Sequence, residues 1–141
     1  MVILDTDHVS LLEWSGTPSC RVLEARLDSL PSSDVCTTVI NYEEQLRGWL
    51  GMLAKPSKQQ AQIEVYERLK RQLNNYCKLI VLTFDELSAV EFARLRKEYP
   101  RLGAMDLKIA AIALANNATL LSRNRKDFGQ ITGLRLEDWT A

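Results

Sequence analysis

Short apolar runs alternate along the chain with longer segments in which apolar residues recur every three or four positions. Continuous apolar or β-branched runs are typical of strands covered on both faces of a parallel sheet, and the longer spacing is typical of helices with one apolar face. Strands are predicted at residues 1–5, 34–40, 79–82 and 119–122, and the tail at 134–139 can add an edge strand. Helices are predicted around 9–14 and over 18–30, 41–53, 57–76, 84–99 and 104–116.

This alternation predicts one α/β domain, residues 1–141, in which a parallel sheet of four to five strands lies between two layers of helices. Thr17 as N-cap and Pro18 in the first turn begin the second helix. Thr6 or Asp7 is expected to cap the first helix, which would free the Asp5 carboxylate to point across the sheet edge. Residues 54–78 fit either one crossover helix or an arm of a helical hairpin.

The composition restricts the class of protein. A chain of 141 residues that is 46% hydrophobic, with a formal net charge of zero, can bury a core without cross-links and is not a typical nonspecific polyanion binder. The cysteines Cys20, Cys36 and Cys77 fit neither a zinc site nor a disulfide framework, which favours a reducing cytoplasm. Neither a signal peptide nor an apolar run of about 18 residues is present, so no membrane segment is expected.

Four acidic residues lie far apart in sequence, yet each falls near a predicted strand end or helix start. These residues are Asp5, Glu44, Asp106 and Asp127. Because strand ends and the following helix starts share one edge of a parallel sheet, we expect the carboxylates to converge there. Carboxylate oxygens are preferred ligands of a hard divalent cation such as Mg²⁺.

The same acids also have purely structural explanations. Asp5 can cap a helix, and Asp106 lies where a negative charge favours the start of one. Glu43 and Glu44 point about 100° apart on their helix, and the apolar stripe favours Glu43 as the half-buried carboxylate. Alternatively, Glu43 pairs with Arg47 at i,i+4 spacing, which stabilises a helix by about 0.3–0.5 kcal/mol, and both acids are solvated.

The segment after the fourth predicted strand is polar and basic. It is either a capped polar loop anchored by Phe128, or a site corner that places three polar residues near the metal, directly or through water: Ser122, Asn124 and Asp127. In the second case three neighbouring cations would contact phosphates: Arg123, Arg125 and Lys126. The run 67–71 is expected to be a solvated helix face, with a phosphate-binding patch as the alternative.

The sole histidine, His8, has no second histidine or paired cysteine, which argues against a zinc site or a histidine-based triad. We expect it on a helix surface. The tryptophans Trp14, Trp49 and Trp139 are expected to be core or interface anchors.

Four segments in order, residues 4–10, 38–48, 104–115 and 120–128, make the chain resemble PIN-domain ribonucleases of the VapC toxin type. The resemblance covers nearly the whole chain and implies a PIN-like α/β/α fold. It assigns metal binding and catalysis to Asp5, Glu44 and Asp106, with Glu44 four residues before Gly48. The family often has a fourth acid where this chain has Asn124, so Asn124, Asp127 or Ser122 is expected to fill that position.

The resemblance also implies an activity and partners. The expected reaction is Mg²⁺- or Mn²⁺-dependent endonucleolytic cleavage of RNA, with structured tRNA or ribosomal RNA loops as substrates. The expected partners are a VapB-like antitoxin and a second copy of the chain, in the cytoplasm. Two alternatives remain at this level: a catalytically lapsed PIN-like binding module, and a metal-dependent phosphatase or flap-type DNA nuclease.

Overall fold

The computed structural model describes residues 1–13 and 16–141, so the prediction for Trp14 lies outside the described residues. Within these ranges the strands are β1 (Val2–Leu4), β2 (Val35–Thr38), β3 (Ile80–Leu82), β4 (Thr119–Leu121) and β5 (Leu136–Glu137). The α-helices are α1 (Thr6–Leu12), α2 (Pro18–Asp28), α3 (Val39–Ala54), α4 (Gln59–Cys77), α5 (Glu86–Glu98), α6 (Ala104–Ala115) and α7 (Arg125–Phe128). A 3₁₀ turn at Ser32–Asp34 precedes β2.

The strands form one parallel sheet in the order β3-β2-β1-β4-β5. The central strand β1 pairs with β2 on one side and with β4 on the other. Chain order therefore reverses direction at β1, and the carboxyl ends of β1 and β4 flank the crevice where α/β folds bind ligands. Asp5 and Ser122 directly follow these two strands.

Side-chain alternation along the strands divides the core into two layers. Ile3, Cys36 and Leu120 pack with α5 and α6 on one face, and Val2, Leu4 and Leu121 pack with α1 and α2 on the other. In α6 all five residues from 109 to 113 are fully buried, and three of them are alanines, as expected for a helix packed closely on a sheet. The predicted α/β/α architecture is confirmed.

Capping residues explain several helix starts. Thr17 accepts a hydrogen bond from the Cys20 N–H at 3.2 Å with Pro18 in the first turn of α2, as predicted. The prediction for α1 is wrong: the helix begins at Thr6, and Asp5 is its N-cap residue without a side-chain capping bond. The Asp5 carboxylate is thereby directed elsewhere.

Two other predictions are corrected or decided by the tertiary structure. β3 was expected to be buried, but it is an edge strand, and Ile80 and Val81 are 43% and 39% exposed. Residues 54–78 follow the hairpin alternative: α3 and α4 are separate helices whose side chains meet, with the rings of Tyr42 and Tyr76 5.2 Å apart. Among the described helices, none is long and apolar enough to cross a membrane.

Candidate metal centre

The Asp5 carboxylate lies at the carboxyl end of β1 and is only 8% exposed. Asn41 Nδ2 donates to its Oδ1 at 2.8 Å, and Ser122 Oγ donates to its Oδ2 at 2.7 Å. Burial raises the pKa of Asp5, although both hydrogen bonds favour the ionised form. The two bonds come from α3 and from the end of β4, so two elements hold the carboxylate in one orientation.

Asn41 is a site residue that the sequence patterns did not single out. It is fully buried in the first turn of α3. Thr38 caps this helix by accepting the Asn41 N–H at 3.1 Å, and its hydroxyl donates to Asn41 Oδ1 at 2.6 Å. The amide is thereby aimed at Asp5. A threonine at a strand end three residues before an asparagine was the available signal, since that spacing is typical of an N-cap.

Asp106 lies half-buried in the first turn of α6, where the partial charge of the helix start favours a carboxylate. Burial and the negative charges of Asp5 and Asp127 raise its pKa to about 6. Asp106 therefore lies within electrostatic reach of both acids, although the first lies about 100 residues away in sequence.

Glu44 belongs to the same acidic cluster, and Glu43 does not. Although Glu44 is exposed, partial desolvation by neighbouring groups and the charges of Asp5, Asp106 and Asp7 raise its pKa. Glu43 instead forms an ion pair with Arg47, whose guanidinium nitrogen lies 2.6 Å from a Glu43 carboxylate oxygen, as the structural alternative predicted. Glu43 is the more buried of the two, as the apolar stripe predicted. Burial against that stripe does not, however, direct a side chain toward the other acids.

The segment from Ser122 to Asp127 forms a hydrogen-bonded corner beside Asp5. The buried Ser122 hydroxyl donates to Asp5 and accepts the Asn124 N–H at 3.0 Å. Asn124 is the N-cap of α7: its Oδ1 accepts the Asp127 N–H at 3.2 Å, and its Nδ2 donates to Asp127 Oδ2 at 3.2 Å. Ser122 thus contacts Asp5, and Asp127 adds negative charge beside Asp106. Asn124 connects Ser122 and Asp127 through its hydrogen bonds to both. Phe128 is buried as the predicted anchor.

The prediction for His8 is wrong. Its side chain is fully buried, with Nδ1 2.5 Å from Asp7 Oδ1, because α1 lies against the sheet beneath the C-terminal residues. Asp7 also accepts the Arg123 N–H at 2.9 Å. Burial alone would raise the pKa of Asp7, but these hydrogen bonds outweigh it and lower the pKa. Asp7 is therefore a second residue at this edge that sequence patterns treated only as a cap.

The predicted phosphate-contacting cations lie at the rim of the site. Arg123, Arg125 and Lys126 are all exposed, beside the acidic cluster. The Arg123 side chain donates through Nε to Thr140 Oγ1 at 2.9 Å. In the run 67–71, Arg68 lies with its guanidinium carbon 5.8 Å from the centre of the Trp49 ring, on the α3–α4 hairpin.

The chemistry of this cluster fits a hard divalent cation. In residues 1–13 and 16–141, no three His, Cys, Asp or Glu side chains are arranged so that they could enclose a metal ion. The donors at this edge are nevertheless all oxygens, as Mg²⁺ and Mn²⁺ prefer. The charges of neighbouring acids raise the pKa values of Glu44 and Asp106, and a bound cation would relieve that repulsion.

Comparison with known proteins places the chain in a family. The PIN-domain family model matches residues 2–134, and the chain belongs to the PIN-domain family. Over 143 aligned residues, 98% of this chain and 97% of the relative, it is 30% identical to ribonuclease VapC1 of Haemophilus influenzae strain R2866. It is also 36% identical over 66 residues to ribonuclease VapC2 of Rickettsia felis, 44% of this chain and 49% of that protein.

Solved structures agree with this assignment. The crystal structure of VapBC2 from Rickettsia felis bound to a DNA fragment from its promoter contains a chain with a TM-score of 0.73 and 25% identity, with 99% of both chains covered. VapBC-1 from nontypeable Haemophilus influenzae gives a TM-score of 0.66 at 26% identity, with both chains covered completely.

Proposed function

We propose that this protein is a divalent-metal-dependent endoribonuclease and the toxin of a VapBC-type toxin–antitoxin pair. The observation that carries the proposal is the convergence of Asp5, Glu44 and Asp106 at the carboxyl edge of the sheet, where the charge of Asp5 adds to the raised pKa values of Glu44 and Asp106. The full-length similarity to ribonuclease VapC1 supports RNA as the substrate class.

Each acid has a proposed role. Asp5 and Asp106 hold Mg²⁺ or Mn²⁺, and Glu44 holds a second ion or orients the attacking water. The cation, when bound, supplies positive charge that stabilises negative charge at the scissile phosphate. Asn41 and Ser122 keep both Asp5 oxygens in place, so little reorganisation is needed when the cation binds.

The rim of the site is proposed to contact RNA. Arg125 and Lys126 are exposed on α7, one and two residues after Asn124, and are the proposed contacts to phosphates beside the bond that is cut. Arg123 contributes charge from a side chain already oriented by Thr140. Such contacts would position the backbone without reading its sequence. Structured tRNA or ribosomal RNA loops are the proposed substrates.

The proposed partners are a VapB-like antitoxin and a second copy of the chain, in the cytoplasm. The similarity to the toxin chains of VapBC complexes supports the antitoxin. A basic antitoxin side chain inserted among the acids would neutralise their mutual repulsion and block the site.

Purification of the chain with its neighbouring reading frame should yield a stable complex, and light scattering on the free chain should give a dimer mass. Separate elution of the two proteins, or a monomer mass, would contradict the respective proposal.

RNA cleavage tests the activity directly. The wild-type protein with Mn²⁺ should cut a structured RNA, and chelation should stop the reaction. Asp5→Asn and Asp106→Asn should each abolish cleavage while leaving the circular dichroism spectrum unchanged. Arg135→Ala is a suitable control because this exposed side chain binds the Asn117 carbonyl group, which precedes β4 and so lies at the opposite edge of the sheet. Cleavage that survives in either aspartate variant would refute the proposed site.

A catalytically lapsed binding module is the second candidate, and Asn124 favours it. The side chain in the place of the usual fourth acid is engaged with Asp127 as a helix cap. Calorimetric titration with Mn²⁺ separates the two candidates. Binding in the micromolar to millimolar range supports the nuclease, and no binding at millimolar Mn²⁺ would favour the lapsed module.

A further inference from the structure

The sole histidine connects the C-terminal segment to the acidic edge of the sheet. His8 is fully buried, with Nδ1 2.5 Å from Asp7 Oδ1 and Nε2 3.1 Å from the backbone nitrogen of Trp139. Because the Trp139 N–H donates to Nε2, the ring proton must reside on Nδ1, where it is donated to the Asp7 carboxylate. The ring therefore bridges the start of α1 and the end of the chain through two directional bonds.

Asp7 passes this connection on to the site corner. Its Oδ2 accepts the Arg123 N–H at 2.9 Å and lies 3.4 Å from Ser122 Oγ. Ser122 in turn donates to Asp5. Hydrogen bonds thus run from the Trp139 backbone through His8 and Asp7 to the backbone of Arg123, which directly follows Ser122, a residue that holds the Asp5 carboxylate.

A second connection joins the same two regions. Thr140 accepts a hydrogen bond from Arg123 Nε at 2.9 Å, and its own hydroxyl donates to Asp138 Oδ1 at 2.6 Å. The Trp139 ring is 8% exposed and lies under the Arg26 guanidinium at 4.4 Å. Arg123 is thereby held at its backbone by Asp7 and at its side chain by the tail.

These tail residues lie beyond the part of the chain that the PIN-domain family model matches, which ends at residue 134. We propose that His8 is a positioning residue and that residues 138–140 form with it a strap that fixes the Ser122–Asn124 corner against Asp5. For its effect on catalysis the inference rests on the proposed function. The structural part of the inference, that the strap holds the Ser122–Asn124 corner in place, is independent of the proposed function.

The physical reason for a histidine at this position is its two opposed nitrogens. An aliphatic side chain of similar volume would fill the space equally well but leave the Trp139 N–H without a partner and Asp7 Oδ1 without its donor. A buried donor without an acceptor is unfavourable, so the tail would shift away from the sheet edge. Replacement of a side chain that hydrogen-bonds a metal ligand typically changes metal affinity or activity by about 10–100-fold, and His8 acts on such a side chain, Ser122, through Asp7 and Arg123.

Three variants and one matched control separate positioning from packing. His8→Leu keeps side-chain volume and removes both hydrogen bonds, and His8→Gln keeps an acceptor within reach of the Trp139 N–H. Thr140→Val removes the second connection without touching the histidine. Arg135→Ala is the control, since Arg135 also anchors the tail but does so at the opposite edge of the sheet.

Hydrogen exchange at the Arg123 amide is the primary measurement, because it needs neither metal nor RNA. Exchange should be faster by about five- to tenfold in His8→Leu and Thr140→Val, the factor that corresponds to the loss of roughly one hydrogen bond. It should be unchanged in Arg135→Ala. Wild-type protection in both His8→Leu and Thr140→Val overturns the inference, and if His8→Leu does not fold, Thr140→Val and His8→Gln decide it.

Metal affinity and kinetics then test the functional consequence. Calorimetry should show Mn²⁺ binding weakest in His8→Leu, intermediate in His8→Gln and wild-type in Arg135→Ala, and RNA cleavage should lose kcat with little change in KM. Equal affinity and kcat in all variants would overturn the link between strap and site. If the wild-type chain neither binds Mn²⁺ nor cuts RNA, the proposed function fails. Exchange at the Arg123 amide then remains the test of whether the strap holds the corner in place.

Discussion

At the scale of single residues, Glu43 and Glu44 show how neighbouring identical side chains come to lie in different surroundings. Glu43 forms an ion pair with Arg47 on the helix surface. The pKa of Glu44 is raised by partial desolvation and by the negative charges of Asp5, Asp106 and Asp7. The helical stripe predicted which of the two is more buried. It could not predict which one faces the acids, because those acids come from other elements.

These two residues provide a matched pair of variants. Glu44→Gln should reduce RNA cleavage by at least about 100-fold, as expected when a group that acts in the transition state is lost. Glu43→Gln should retain wild-type cleavage and lose only the surface ion pair, worth about 0.3–0.5 kcal/mol. The rates of both variants at saturating Mn²⁺ measure the difference. Equal losses would mean that the assignment of Glu44 is wrong.

Asp106 predicts how metal binding depends on pH. Its pKa of about 6 means that the carboxyl group of the metal-free protein is protonated below that pH, and a cation must then displace the proton. Mn²⁺ affinity should therefore be constant well above pH 6 and fall by about tenfold per pH unit below it. Calorimetric titrations between pH 5 and pH 8 would show this. Mn²⁺ affinity that stays constant down to pH 5, as expected for an aspartate with the ordinary pKa of 3.8, would contradict it.

At the scale of elements, the junction between β2 and α3 matters most for the site. Thr38 ends the strand and caps the helix, and the cap orients Asn41 toward Asp5. The sequence predicted both elements and placed their boundary two residues too late, since β-branched Val39 and Ile40 favour a strand locally. Packing of α3 against the sheet overrides that preference.

Replacement of Asn41 tests this junction. Asn41→Ala should lower the free energy of unfolding by about 1–3 kcal/mol, because buried Asp5 and Thr38 lose a partner, and it should also weaken Mn²⁺ binding. Thr17→Ala, at the N-cap of α2, is the control: it should cost about 1 kcal/mol and leave Mn²⁺ binding unchanged. Chemical denaturation and calorimetry measure the two effects. Wild-type Mn²⁺ affinity in Asn41→Ala would show that Asp5 needs no such support.

At the scale of the whole molecule, the acidic cluster has opposite consequences for the stability of the metal-free fold and for the proposed function. The pKa of Asp106 is raised in the folded state, so its contribution to stability is present at low pH and is lost as the pH rises from 3.8 through about 6. At neutral pH the ionised cluster therefore weakens the metal-free fold. A divalent cation bound only to the folded state would reverse this.

Thermal unfolding provides the test at this scale. Mn²⁺ at about 100 times its dissociation constant should stabilise the wild type by roughly 2.7 kcal/mol and raise Tm by several degrees. Without metal, Asp106→Asn at pH 7 should be more stable than the wild type by only about 1 kcal/mol, because solvent screens the repulsion at this half-exposed carboxylate. With Mn²⁺ its Tm should not rise. A variant that is less stable than the wild type would refute the proposed repulsion.

Local sequence patterns were sufficient to predict the elements and the class of fold. Apolar runs and 3–4 spacing depend only on neighbouring residues, so they predicted the parallel sheet, its helical layers and the Thr17–Pro18 helix start. They also placed the acids near element ends, where a parallel sheet gathers them. The exposure of β3 was missed, because a strand's place at the sheet edge depends on which strands pair beside it.

The tertiary structure alone decided which side chains meet. Asn41 and Ser122 hold Asp5 across separations of 36 and 117 residues, and His8 reaches Trp139 across 131. Local patterns contain no information about such contacts, so they place His8 on a surface and give no sign of the role of Asn41 beside Asp5. Long-range packing also selected Glu44 over Glu43, because orientation toward an acidic cluster exists only once its strands and helices share one edge.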